Sequence, residues 1–275
     1  DNPAYSLGGR TVHSICAGDH GLVWAATEDG YLEKVYPDGK IITFGFGHEK
    51  DSRTNTYQSA TYIDGMVYVV SLGSGLSVYD AESLKLVKRY DVGDNYCKQI
   101  LQTRHNELLV GTSSGLFRYE NPSDSFVRIE STGHNFISAI CEDWQGDIWV
   151  NDFQNGICVL TPPDYEPKPL EISDGTDIGR VNISSLFEDR DGRIWAATGR
   201  SGLFIFHPDR NEPWKVQFNN ITKQDGLPSD IISAITQDES GRMWVSTMNG
   251  IASIEWDAIA DVTEYRAIGS SFCPG

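Results

Sequence analysis

The sequence predicts an all-β fold, a β-propeller of four-stranded antiparallel blades. Three observations predict it: a phrase repeated six times, its spacing, and the strand periodicity around each copy. The phrase is a polar turn ending in Gly, a large apolar residue three positions on, and a second Gly six or seven residues later. Its copies are anchored at Gly21/Trp24/Gly30, Gly65/Tyr68/Gly75, Asn106/Leu109/Gly115, Gly146/Trp149/Gly156, Gly192/Trp195/Gly202 and Gly241/Trp244/Gly250. Successive apolar anchors lie 40 to 49 residues apart. That period belongs to stacked supersecondary units and, among those, to blades of four strands.

Each blade element follows in order. Runs such as Val12-His13-Ser14-Ile15, Ile137-Ser138-Ala139-Ile140, Ile183-Ser184-Ser185-Leu186 and Ile232-Ser233-Ala234-Ile235 alternate apolar and polar residues, the mark of a first, innermost strand. The anchor lies in the second strand, as in Ile148-Trp149-Val150, where a Trp ring fills the wedge between blades; Trp24, Trp149, Trp195 and Trp244 read as core. The second Gly opens the third strand, as in Gly115 to Tyr119 and Gly202 to Phe206. The outer strands are more variable: Ile41 to Phe44, Leu84 to Tyr90, Phe126 to Ile129, Pro169 to Ile172, Trp214 to Phe218 and Glu264 to Ile268. Charges in them discourage edge-to-edge association. One domain over 1–275 is expected, with blades at approximately 8–45, 56–91, 95–130, 135–173, 180–219 and 229–269. Six motifs predict six blades, closed by Ala4 to Leu7 or by Glu264 to Ile268, or else part of a seven-bladed ring.

Composition narrows the partners. The 275 residues carry a formal charge of -17, with 39 acidic against 22 basic residues. No segment gathers the Lys and Arg that nucleic acid requires, so that partner is not expected. An anionic membrane surface is disfavoured for the same reason, and no apolar run approaches the roughly 18 residues of a spanning helix. A soluble piece is expected. The chain begins at Asp1 without a leader, which suggests a removed signal or a portion of a longer polypeptide. Of five cysteines, Cys16, Cys141 and Cys158 read as small strand hydrophobes. Cys97 and Cys273 lie in less regular surroundings without metal-ligand spacing.

Local chemistry is sparse. Asp189-Arg190-Asp191-Gly192 and its counterparts at Asp143 and Asp238 superficially resemble calcium loops, but Gly comes too early and no bidentate Glu follows at the required place. Such turns read as hairpins in which Asp caps backbone amides and Gly takes positive φ. The six histidines show no paired metal spacing, and no serine sits in a nucleophile elbow. No catalytic residue, metal or cofactor is assigned. An axial metal supplied by several blades, for instance through Asp94, Asp152 and Asp177, would escape a local motif search.

Ile183 to Leu203, and Asp225-Gly226-Leu227-Pro228-Ser229-Asp230 followed by Ile232 to Ile251, resemble the two-component regulator propeller repeat. The resemblance implies the extracytoplasmic sensor of a hybrid two-component receptor of gut Bacteroidetes. Such receptors detect oligosaccharides and carry their kinase, membrane helix and β-sandwich elsewhere in the chain. The copies at Tyr68 and Leu109 depart from the pattern. The expected function is thus non-catalytic sensing in the periplasm, with an oligosaccharide, other domains of the same receptor and a second copy as partners. A propeller enzyme of lactonase or lyase type with an axial metal, and a protein-interaction scaffold, remain the alternatives.

A ligand is expected on the loops that join second to third strands and blade to blade, because binding residues concentrate on loops held by a rigid scaffold. Sugars need aromatic faces, planar hydrogen-bonding groups and, when acidic, Arg. The candidates are Arg53, Tyr57, Tyr96, His134, Phe136, Asp152, Phe153, Arg180 and Arg200.

Overall fold

The computed structural model describes residues 7–9, 11–45, 56–178, 180–255 and 266–270. The chain divides into two compact units, Asp1–Ile137 and Ser138–Gly275. In the first, β1 (Val12–Ala17) to β4 (Ile41–Gly45) form one sheet through β2 (Val23–Thr27) and β3 (Tyr31–Val35). The second sheet is β5 (Thr56–Ile63), β6 (Met66–Leu72), β7 (Gly75–Asp80) and β8 (Leu86–Tyr90). A third comprises β9 (Cys97–Gln102), β10 (Leu108–Thr112), β11 (Gly115–Glu120) and β12 (Ser125–Arg128).

The second unit opens with β13 (Ile137–Glu142), β14 (Ile148–Asp152), β15 (Gly156–Thr161) and β16 (Glu166–Pro169). Next come β17 (Glu171–Ile172), β18 (Ile183–Glu188), β19 (Ile194–Thr198), β20 (Leu203–Pro208) and β21 (Lys215–Ile221). The last sheet is β22 (Ile232–Gln237), β23 (Met243–Thr247), β24 (Gly250–Glu255) and β25 (Arg266–Ser270). Each sheet contains a sequential four-stranded antiparallel meander, the blade of a six-bladed β-propeller, and the fifth adds β17 at its outer edge. β25 pairs with β24 and supplies the sixth blade's fourth strand; Ala4 to Ser6, Glu264 and Tyr265 lie outside the described residues. Residues 7–9 are tied to the first blade, where the wholly buried Glu33 accepts the amides of Gly8 at 2.9 Å and Gly9 at 3.2 Å.

The repeated phrase folds because one carboxylate satisfies both a turn and a tryptophan. In the fourth copy Asp143 Oδ1 accepts the amides of Gln145 and Asp147, each at 2.9 Å, while Oδ2 accepts Trp149 Nε1 at 2.9 Å. Asp189 repeats the pattern with Asp191, Arg193 and Trp195, and Asp238 with Ser240, Arg242 and Trp244. The expected amide cap is present, and the indole bond is added to it. Gly18 stands where the first copy would need that Asp, and Trp24 Nε1 is buried without a hydrogen-bond partner. In the third copy Thr103 Oγ1 caps Glu107 N at 3.0 Å, and Asn106 takes the glycine's place at φ 62°. Asn tolerates that left-handed conformation, and Leu109 needs no acceptor. Asp64 and Gly65 turn the second blade's hairpin at φ 46° and 81°, the paired positive angles of a tight two-residue turn.

The later Gly meets a second constraint. Gly202 has φ 77°, and a Cβ there would stand 2.3 Å from Ile221 O of the neighbouring strand.

Trp24, Trp149 and Trp195 are fully buried, as expected, each packed against the blade that follows it. Trp244 differs from the expectation at 37% exposed, although its Nε1 donates to Asp238 Oδ2 at 2.8 Å as in the other copies. The segment Pro169 to Ile172 also differs from the reading as one outer strand. Only Glu166–Pro169 stays with the fourth blade; Glu171–Ile172 crosses to run parallel to β21 as a fifth strand. Leu170 and Ile172 pack beside Trp214 there, so burial draws the chain across. Cys97, expected in irregular surroundings, opens β9 and is buried.

Candidate functional site

The first strands of five blades carry a bulge near their start, at His13, Gln58, Lys98, Ser184 and Ser233. Ser138 stands at the corresponding place in β13. An unpaired residue in a ladder turns its side chain away from the regular alternation. In the second unit that side chain staples one blade to the next: Ser138 Oγ donates to Ile183 O at 3.1 Å and Ser184 Oγ to Ile232 O at 2.8 Å.

In the first unit the same positions carry long polar side chains that meet one another. Lys98 Nζ donates to Gln58 Oε1 at 2.6 Å. This orients the amide, so Gln58 Nε2 lies 3.0 Å from His13 Nδ1. His13 Nδ1 is also 2.9 Å from Tyr57 O; as an acceptor it takes the Gln58 amide, and as a donor it makes the blade-to-blade staple. Burial holds the Lys98 ammonium below its ordinary pKa, because a charged amine is poorly solvated there. Among the described residues no carboxylate pairs with Lys98. Sequence reasoning passed over these three as strand residues. The signal available was that they stand where the later copies place Ser.

The expected ligand residues fall into two groups, one in each unit. In the first, Arg53 lies outside the described residues. Tyr57 is fully buried in the core, with its hydroxyl 2.8 Å from Tyr79 Oη. Tyr96 is 58% exposed on the loop before β9, where its amide donates to Asp94 Oδ1 at 2.8 Å. Burial alone would raise the Asp94 pKa, but the Ser113 hydroxyl, at 2.7 Å, and the Tyr96 amide hold it below the usual value. Ser113 N donates to Tyr96 O at 3.0 Å, so the blade-to-blade loop and the β10–β11 turn meet. His134 is exposed against the Arg128 guanidinium, with Nε2 3.2 Å from Nη1, and Phe136 is half-buried nearby in sequence.

In the second unit Asp152 is buried and caps its own turn. It accepts Gln154 N at 2.7 Å, Asn155 N at 3.2 Å and Asn155 Nδ2 at 2.8 Å. Phe153 projects from that turn at 58% exposed. Arg180 and Arg200 are exposed on segments brought side by side by Gly199 N donating to Asn182 O at 2.9 Å.

Burial pushes the thiols of Cys16, Cys97 and Cys158 up to about 12, so they stay protonated at neutral pH. Among the described residues no three His, Cys, Asp or Glu are grouped to hold a metal ion, and no helix is long and apolar enough to cross a membrane.

Against solved structures, the chain is similar to the extracellular domains of two two-component system proteins from B. thetaiotaomicron. One has 20% identity and a TM-score of 0.72 over 91% of this chain and 33% of that one. The other has 20% identity and a TM-score of 0.63 over 92% and 39%. The chain therefore spans between a third and two fifths of these structures. It is also similar to virginiamycin B lyase from Staphylococcus aureus, at 14% identity and a TM-score of 0.71 over 90% of this chain and 81% of that one. At these identities the likeness is one of fold. No curated protein matches the sequence at a significant level. The sequence model of the two component regulator propeller matches residues 178–200 and 226–249. Those are the stretches that build the turns at Asp189 and Asp238, and the chain carries repeats of the two component regulator propeller family.

Proposed function

We propose that this chain is the non-catalytic, ligand-sensing propeller of an extracytoplasmic two component receptor, and that its ligand is an acidic oligosaccharide. The signal passes to a kinase elsewhere in the receptor. The family repeats and the fold shared with extracellular domains of such systems support the receptor reading. One observation carries the ligand reading: Lys98, a partly desolvated ammonium, donates to a neutral amide and has no described carboxylate partner in a chain of formal charge -17. A blade-to-blade staple needs only a hydroxyl, as Ser138 and Ser184 show. The longer Lys98, Gln58 and His13 side chains supply hydrogen-bonding capacity beyond that need, suited to a carboxylate or sulfate and its neighbouring hydroxyls.

Titration calorimetry with matched neutral and uronic or sulfated fragments tests this. The acidic fragments should bind, Lys98→Met should weaken them by about tenfold or more, and Lys98→Arg should retain part of the affinity. No heat with any fragment, on this chain and on the longer receptor, overturns the sensing reading. Heat that Lys98→Met leaves unchanged overturns the role of the ammonium.

A further inference from the structure

The loop end of the fifth blade brings three segments together: residues 173–182 before β18, the β19–β20 turn at 199–202, and residues 222–231 before β22. Gly199 N donates to Asn182 O and Gly202 N to Asp230 O, each at 2.9 Å, so backbone bonds stitch the turn to the loop on either side. A Cβ at Gly199 would stand 3.2 Å from Asn182 Nδ2, and its absence lets the two segments approach. Thr198 closes the turn, its Oγ1 donating to Gly202 O and accepting Ser201 N, each at 2.7 Å. The turn therefore has no need of the Arg200 side chain.

Each segment carries one exposed cation: Arg180, Arg200 and Lys223. Among the described residues none of these three side chains has a hydrogen bond or an ion pair. Acids are at hand on the same loops, but they are spent on the backbone. Asp174 Oδ1 accepts Thr176 N at 2.9 Å, Asp225 Oδ2 accepts Thr222 N and Oγ1 at 2.9 Å each, and Asp230 Oδ1 accepts Lys223 N at 2.7 Å. Asp177 has a partner of its own. Where an arginine of this blade serves the scaffold it is paired, as Arg193 Nε is with Asp189 Oδ2 at 2.6 Å. At the loop end the guanidiniums keep all their donors, and the carboxylates keep spare lone pairs.

That mixture selects among anionic ligands. An acidic peptide brings only negative charge and is repelled by the four loop acids. A uronic sugar offers one carboxylate to the planar guanidinium fork and hydroxyls that donate to Asp oxygens. The flanking turns add apolar surface, with Phe153 of the fourth blade 58% exposed and Met248 of the sixth 71% exposed. We propose that the loop end of the fifth blade is a second ligand site, which holds the uronic residue of an acidic saccharide through Arg180 and Arg200, with Lys223 at its margin. The ligand class rests on the sensing reading above, but the site shares no residue with Lys98, Gln58 and His13 of the other unit.

The test is calorimetric titration of the intact chain with digalacturonate, its methyl ester and hexaglutamate. Digalacturonate should occupy two sites, and the methyl ester, which keeps the sugar without the charge, should bind at least about tenfold more weakly. Replacing both arginines, Arg180→Gln with Arg200→Gln, should remove one site and leave Tm unchanged, since neither guanidinium has a bond to lose. Lys98→Met should remove the other. A single site that survives the arginine replacements and is lost in Lys98→Met overturns this proposal and leaves the sensing reading standing. A single site lost with the arginines and kept in Lys98→Met supports this proposal and overturns the role of Lys98. Equal binding of the methyl ester, hexaglutamate binding as tightly as digalacturonate, or no heat from digalacturonate at millimolar concentration would each overturn the second site, whereas the sensing reading falls only if the neutral and sulfated fragments give no heat either.

Discussion

In the first unit the bulged residues of the three opening strands are His13, Gln58 and Lys98; in the second unit Ser184 and Ser233 are bulged and Ser138 stands at the corresponding place. The bulge recurs in both units, so the propeller itself does not ask for the long side chains. Ordering a lysine or glutamine costs up to about 2 kcal/mol in rotamer freedom, and Lys98 adds desolvation. The turn at the other end of the blades shows the converse. Arg193 neutralises Asp189 in the fifth blade, whereas Asp147 leaves Asp143 with a second negative charge in the fourth. Comparing copies separates what the scaffold requires from what it tolerates.

The largest effect is expected where the scaffold requirement is strongest. Asp189 holds two turn amides, the Trp195 indole and Arg193. Asp189→Ala should cost about 3–5 kcal/mol in urea denaturation, and a cost near zero would show that the phrase does not depend on its carboxylate. Next is a contrast between two buried tryptophans. Trp149 donates to Asp143, while Trp24 Nε1 has no partner, so Trp149→Phe should cost about 2 kcal/mol more than Trp24→Phe. Equal costs would remove the indole bond from the account of the turn.

Ser184→Ala should cost about 1 kcal/mol by leaving Ile232 O without its staple. Lys98→Ser, at the equivalent position, should change stability by less than about 0.5 kcal/mol while abolishing binding of acidic fragments. If Lys98→Ser proves the more destabilising, the lysine is structural and the contrast between the units fails.

The smallest effect is one of pH. The folded pKa of Lys98 lies below its ordinary 10.5, so the folded state binds this proton less tightly than the unfolded state. The destabilisation is full below the folded pKa and disappears as pH rises past the unfolded one. The stability advantage of Lys98→Met over the natural protein should therefore shrink as pH approaches 10.5 from below, measured as the difference between their denaturation midpoints. The buried thiols contribute equally to both proteins and cancel. An advantage constant in pH would mean that Lys98 titrates like a solvated lysine.

Much of the blade was legible because its signals are local. Period two in Ile183 to Leu186, Gly192 three residues before Trp195, and Gly202 at the next turn all act within a few residues of chain. The Trp244 exposure was not legible, because its copy of the phrase carries the same Asp, Gly and Trp as the buried ones at Trp149 and Trp195. Neither was the crossing of Glu171–Ile172, because Leu170 and Ile172 find their cover beside Trp214, more than 40 residues away. At the loop ends, residue type alone could not tell an exposed ring such as Tyr96 from a buried one such as Tyr57. Lys98, Gln58 and His13 were hidden inside strands, where periodicity predicts facing but not the company a bulged side chain keeps.

The sequence alone determined the blade period, the hairpin turns and the resemblance to the repeat family, since each rests on short-range spacing and on conformations that Gly or Asn permits, whereas the choice between six blades and part of a seven-bladed ring came from the sheets. Tertiary structure alone decided which charges are paired. Pairing depends on residues brought together from different blades: Lys98 with Gln58 rather than an acid, and Arg193 with Asp189 where Asp147 has no cation. In a low-dielectric interior those distances, rather than the residue types, set whether a charge is satisfied.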